Sequence, residues 1–235
     1  MSDPIRVHSD HAVVSFASLA RWGLADLVQR EQRRDQLMAE VPMPEPTLLE
    51  VLRCQWAETL QRSSGERPEQ WLARLGLQQE DADALAARPW RWQRFCEQRF
   101  SAAVRSTFLA RKAGLDQVAF WRLELADAEL AAELHQQLRE QETSFEQLAA
   151  QARDGEPWAV ERVGPVALEA LPPELTALLR TLQPGELRRP LPVASRWQLV
   201  RLEQRWPAVL DQPLRTRLLA ELGEQLLEQL SVAAP

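Results

Sequence analysis

The sequence predicts an α+β protein: a helical module of N-terminal helices and a C-terminal helix, joined to a section of strands and short helices. Three features predict it. Apolar residues recur at helical spacing through the first 112 residues. From Val118 the period shortens to the alternation of a strand. Near the end, Leu214, Leu218, Leu222, Leu226 and Leu230 return to helical spacing. With 45% hydrophobic and 26% charged residues, the chain has the composition of a globular protein, and 235 residues suffice for one or two cores.

The first helix is expected from about Asp10 or Ser15, on Phe16, Leu19, Ala20, Leu24, Leu27 and Val28. It must stop before Pro42, Pro44 and Pro46, which cannot continue a helix. Thr47 with Glu50 reads as a capping box for the next helix, whose buried face carries Leu49, Leu52, Trp56 and Leu60. Ser63, Ser64 and Gly65 form a break. A short helix over 68–75 begins on Pro68, which suits a first turn, and ends at Gly76. A short helix over 79–87 and a longer one over 88–112 complete the module.

In the second section a strand is expected over 118–125. Asp127 caps a helix with Leu130, Leu134 and Leu138 on one face. Overlapping capping boxes at Thr143 and Ser144 precede a short helix with Phe145 and Leu148. Residues 154–157 read as a turn, and a loop through Gly164-Pro165 leads to a short helix after Pro172-Pro173. Pro184-Gly185-Glu186 is a turn. An edge strand over 187–193, made irregular by Pro190 and Pro192, is followed by a turn at Ala194-Ser195 and a central strand over 196–202. The final helix opens at Asp211-Gln212-Pro213. Its wide leucine stripe must bury against something, and the N-terminal helices are the expected partner. The resulting division is 1–117, 118–207 and 208–235.

Several functions are disfavoured. Net charge is −6; basic and acidic residues number 16 each through residue 117, then 12 against 18. Such a chain is a poor general binder of nucleic acid or anionic membranes. The stretch 88–112 holds seven basic residues against Glu97, with Trp90 and Trp92 beside Arg91. It could be a stacking surface for nucleic acid or acidic peptide; a helix with a buried aromatic face and snorkelling arginines is the preferred alternative. Cys54 and Cys96 lack close Cys or His partners, so no zinc site is indicated; both are expected as buried thiols, with a disulfide left open. His8, His11 and His135 are scattered. No Gly-rich phosphate loop or Ser-His-Asp arrangement is present, so no cofactor is called for. No secretory leader or membrane helix is legible, which points to the cytoplasm without stable membrane insertion.

The landmarks from Val118 to Pro207 fall in a specific order: Asp127 to Leu138, Ser144-Phe145-Glu146-Gln147-Leu148-Ala149, Asp154-Gly155, Gly164-Pro165, Leu171-Pro172-Pro173-Glu174-Leu175, Leu182-Gln183-Pro184-Gly185-Glu186, and Ser195-Arg196-Trp197-Gln198-Leu199-Val200-Arg201-Leu202. This order and spacing resembles the parvulin family of prolyl isomerases over about 90 of the 235 residues. Helices before and after such a section also resemble bacterial folding factors of the SurA and PrsA style. The resemblance implies a small antiparallel sheet flanked by helices.

It also implies a site. The family's histidine on the first strand corresponds to Arg122, and that on the last strand to Gln198. The Cys or Asp of the loop falls beside Asp154. The apolar residues that grip the substrate proline correspond to Leu171 and Leu175, with Trp197 or Trp121 nearby, and the small hydroxyl to Ser195. Read by themselves these residues have plainer roles: Leu171 and Leu175 as core, Arg122 and Gln198 as solvent-facing strand residues, and Asp154, Glu156 and Ser195 as turn formers. What the resemblance implies is a peptidyl-prolyl isomerase-type chaperone, binding unfolded or proline-containing polypeptide at a groove whose histidines are replaced, with weak or lost isomerase activity. The alternative is a non-enzymatic adaptor for one fixed, exported or transport-related partner.

Overall fold

The computed structural model describes residues 5–6, 13–152, 156–193 and 195–232. The chain forms two compact units, Met1–Arg105 with Asp211–Pro235, and Ser106–Leu210. Among the described residues there are ten α-helices and one four-stranded antiparallel sheet, besides a two-residue pairing of β1 (Ile5–Arg6) with β2 (Val13–Val14). The α+β class predicted from the sequence is the class observed.

The first unit is helical beyond β2. The helix expected up to Pro42 is two helices, α1 (Phe16–Arg21) and α2 (Ala25–Met38). Ser15 caps α1, its hydroxyl accepting from the Ser18 N–H at 3.2 Å. Gly23, at φ +72°, makes the break, adopting a conformation that costs a side-chain-bearing residue more. Helix α3 (Pro46–Ser64) begins before Thr47, so the N-cap position is Glu45, which makes no side-chain capping bond; Pro46 occupies the first turn, where its missing N–H has no partner to lose. Helix α4 (Pro68–Leu75) has the predicted bounds and ends on left-handed Gly76.

The expected break before Arg88 is absent. Helix α5 runs Gln79–Phe100 straight through Pro89, with Ala82, Ala86, Ala87 and Cys96 buried. A mid-helix proline costs about 3 kcal/mol; burial along this face, packed on α2, α3 and the last helix, offsets it. Helix α6 (Val104–Leu115) is separate.

The last helix, α10 (Gln212–Val232), packs on α2 and α5 with Leu218, Leu219 and Leu227 buried. Gly223 permits a close approach: a methyl there would lie 2.5 Å from Cys96 Sγ and 2.8 Å from Trp92. Glu224 accepts from Arg30 and, at 2.8 Å, from Arg34, whose guanidinium lies 5.1 Å from the Trp92 ring centre. Arg91 donates to the carbonyls of Met38 and Val41 just past α2. Arg88 pairs with Glu31 and Asp35, and Arg94 with Glu97. Arg88, Arg91 and Arg94 of the basic stretch are thus held by partners inside the unit. Cys96 is buried as expected, but Cys54 is exposed; both thiols are free.

In the second unit, which takes in α6 from Ser106 onward, the further elements are β3 (Gln117–Leu125), α7 (Ala128–Arg139), α8 (Phe145–Ala152), β4 (Trp158–Ala167), a 3-10 turn (Leu168–Ala170), α9 (Pro173–Thr181), β5 (Leu191–Val193) and β6 (Arg196–Trp206). The sheet order is β4-β3-β6-β5. Asp127 caps α7, accepting from the N–H groups of Glu129 and Leu130. Ser144 and Gln147 exchange capping bonds at α8. Three expectations are corrected. The segment through Gly164-Pro165 is strand β4, not a loop, an edge position that tolerates proline. Strand β5 covers only 191–193, with one isolated bridge from Leu187 to Arg201; Pro190, which lacks an N–H, stands just before it, and Pro192 is accommodated on this edge strand opposite Trp197. Strand β6 extends to Trp206, paired along β3.

Side chains alternate across this sheet into two cores. Trp121, Leu123, Leu125 and Leu199 pack with Leu134, Phe145 and Leu148 of α7 and α8. Val118, Phe120, Val200 and Leu202 pack with Leu168, Leu175, Leu179 and Leu182. The bulge at the register shift between Ala119 and Phe120 puts the extra residue on β6 and leaves the alternation of β3 intact, with Val118 and Phe120 in the same core. No described helix is long and apolar enough to cross a membrane.

Candidate functional site

Alternation along β3 and β6 decides which candidates share a face. After the bulge, Phe120, Arg122 and Glu124 point to the side covered by α9. On β6, Gln198 lies two residues before Val200 and so joins the same side. Pairing sets Arg122 opposite Glu161 on β4 and Val200 on β6, and sets Glu124 opposite Gln198. The face therefore has an apolar half beneath α9 and a polar half beyond it.

Helix α9 is fixed over the apolar half at both ends. Thr176 Oγ1 donates to the carbonyl of Leu168 at 2.7 Å and of Leu171 at 3.3 Å, tying the first turn to the segment before it. Arg205 donates to the carbonyls of Leu179 and Leu182, where unpaired helical carbonyls need donors. The Pro184-Gly185-Glu186 turn is hooked to β6 by the Gly185 N–H, which donates to the Leu202 carbonyl at 2.7 Å.

The polar half is a bonded row. Gln198 Nε2 donates to Glu124 Oε1 at 2.7 Å. Arg122 Nη1 lies 3.3 Å from the same oxygen. Arg122 Nε donates to Glu161 Oε1 at 2.9 Å, and Nη2 also bonds that oxygen. All three guanidinium nitrogens thus face carboxylates, and the Arg122 side chain is 30% exposed. Two carboxylates surround one cation, so the row carries net negative charge.

The structure brings Arg122, Gln198, Leu171 and Leu175 to one face but does not give the four equal roles. Leu171 is half-buried at the margin of the apolar core. Leu175 is only 7% exposed and packs in that core, which corrects the expectation that it lines an open groove. Trp197 is also corrected: together with Trp121 it packs in the α7–α8 core, because each is one residue out of phase with Gln198 and Arg122. Ser195 is exposed in the turn before β6. Asp154 lies outside the described residues, as do His8 and His11.

Sequence reasoning missed Glu124 and Glu161. Glu124 had a signal: it stands two residues from Arg122 in a strand and must share its face. Glu161 had none, since its segment read as a loop and left no register to place it. The row offers hydrogen-bond donors and acceptors beside an apolar wall. Among the described residues no group of three or more His, Cys, Asp or Glu could hold a metal ion.

The family model described as a PPIC-type PPIASE domain matches residues 100–214. No curated protein matches the chain. Among solved structures, the chain is similar to peptidylprolyl isomerase PrsA from Bacillus anthracis, at 15% identity over 86% of this chain and 94% of that one, with a TM-score of 0.43. It is similar to PrsA from Bacillus cereus at 12% identity, over 97% and 89%, with a TM-score of 0.44. The foldase protein PrsA from Streptococcus pneumoniae aligns at 12% identity, over 94% and 87%, with a TM-score of 0.42.

Proposed function

We propose, from the premise that residues 100–214 form a domain of the PPIC-type PPIase family, that this chain is a folding factor which binds unfolded or proline-containing polypeptide and catalyses X-Pro rotation feebly or not at all. The rotation breaks no covalent bond. Its barrier is about 20 kcal/mol, and lowering it needs a pocket for the proline ring and stabilisation of the twisted amide rather than a nucleophile or metal.

The observation that carries the proposal is the bonded row. Arg122 and Gln198, at the positions of the family histidines, are engaged by Glu124 and Glu161. A hydrogen bond to a charged group contributes about 1.5–3 kcal/mol, so withdrawing a donor to serve a substrate carbonyl would cost roughly ten- to a hundredfold in rate or affinity. Partial exposure of the row makes this an upper figure. An arginine also differs from a histidine in its fixed charge and in the reach of its side chain. Leu171 supplies half-buried apolar surface beside the row.

Three measurements test this. A protease-coupled assay on proline peptides should give rates far below those of an active parvulin; ordinary rates would refute the loss of catalysis. Titration with a proline-peptide library, followed by NMR of the backbone amides, should shift the backbone signals at Arg122, Leu171 and Gln198. Shifts confined to the helical unit would remove the face from the proposal. Suppression of aggregation of several unrelated clients separates a folding factor from an adaptor that holds one partner.

A further inference from the structure

We infer that Glu124 is a positioning residue that withholds both Arg122 and Gln198 from bound peptide; this rests on the peptide-binding role proposed for the same face. The inference comes from one oxygen. Glu124 Oε1 accepts from Gln198 Nε2 at 2.7 Å and lies 3.3 Å from Arg122 Nη1. It is thus the one carboxylate oxygen, among the described contacts, that joins the two positions across neighbouring strands.

The geometry follows from strand pairing. Glu124 is directly opposite Gln198 and two residues from Arg122, so it lies within reach of both without leaving its strand. Glu161 holds Arg122 from the other side, on β4. Arg122 is therefore held from both flanks and Gln198 from one. An arginine and a glutamine have the length to swing above the sheet toward a ligand carbonyl; Glu124 keeps them lying along it. Shortening residue 124 removes that acceptor and leaves the Gln198 amide and Arg122 Nη1 available to a ligand. Retaining an amide oxygen there keeps an acceptor for Gln198 while removing the charge that attracts Arg122.

The test uses the full chain and capped proline peptides of neutral sequence. Peptide Kd is measured for the natural chain, Glu124→Ala and Glu124→Gln, with thermal unfolding as a check on folding. Affinity in Glu124→Ala is expected to rise about tenfold, and in Glu124→Gln by less. The Gln198 side-chain amide signals should shift on peptide addition in Glu124→Ala and little in the natural chain, a response that a purely structural carboxylate would not give. Should Glu124→Ala unfold, the same comparison in Glu124→Gln decides, through the Arg122 Nη1 proton signals, since Nη1 is the nitrogen that faces residue 124.

Four outcomes are distinct. Tighter binding with moving donor signals supports the inference, as does binding by the variant when the natural chain binds nothing. If the natural chain binds at this face and the variant binds no better, the inference is overturned and the peptide-binding role stands. If neither binds, both fall.

Discussion

A methyl group added at Gly164 would lie 2.3 Å from the carbonyl oxygen of Val118 and 2.9 Å from the Cα of Ala119. Both neighbours are backbone of the paired strand β3, at the point where its register shifts. Gly164 also holds φ at +109°, a conformation open to glycine and strained for other residues. Gly164→Ala should therefore cost about 2–4 kcal/mol, as overpacking and backbone strain add. Chemical unfolding of the two proteins measures this, and a loss below about 0.5 kcal/mol, the usual range for a neutral surface change, would contradict the close approach.

The two leucines flanking the α9 start should respond differently. Leu175→Ala empties a buried position and should destabilise by about 2–4 kcal/mol. Leu171→Ala removes a half-buried side chain and should cost less, while weakening proline-peptide binding more than its stability effect explains. Paired unfolding and binding curves check this; equal stability losses would mean that Leu171 is core as well.

The two thiols should separate cleanly under alkylation. Cys54 is exposed, whereas Cys96 is 1% exposed and burial pushes its thiol pKa up to about 11. The thiolate is the reactive form. Brief treatment of the native protein at pH 8 should modify Cys54 alone, and both residues in denaturant. Peptide mapping by mass spectrometry reads the sites, and fast native labelling at Cys96 would contradict its burial between α5 and α10.

His135 gives a pH dependence of known sign. Burial, and then the cations of Arg139 and Arg189, push its imidazole below the ordinary value of 6.5. The unfolded chain then takes up the proton more readily than the folded one. This contribution to stability is complete above pH 6.5 and is lost as pH falls from there through the folded value. The thermal midpoint should decline between pH 7.5 and 5, and His135→Gln should decline less. Parallel curves for the two proteins would contradict it.

Residue by residue, the sequence was most legible where a local signal had no competitor. Pro68 and Gly76 bound α4, Asp127 capped α7, and Ser144 with Gln147 closed a capping box at α8. It misled where a local signal met a tertiary one. The pattern reads as two helices divided between Ala87 and Arg88, yet α5 runs through that point and through Pro89 along a buried face. Gly164-Pro165 reads as a loop, yet pairing with β3 makes it strand. At the site, the period of two already separates Arg122 and Glu124 from Trp121 and Leu123. It does not say which face α9 covers.

By itself the sequence determined the α+β class and the positions where helices and strands alternate, because hydrophobic period and capping chemistry act within a few residues. Only the tertiary structure decided that Glu161 meets Arg122, that Glu124 joins it to Gln198, and that Leu175 is interior. The reason is that cross-strand register and helix packing join residues 39 to 74 positions apart, distances over which no local pattern carries information.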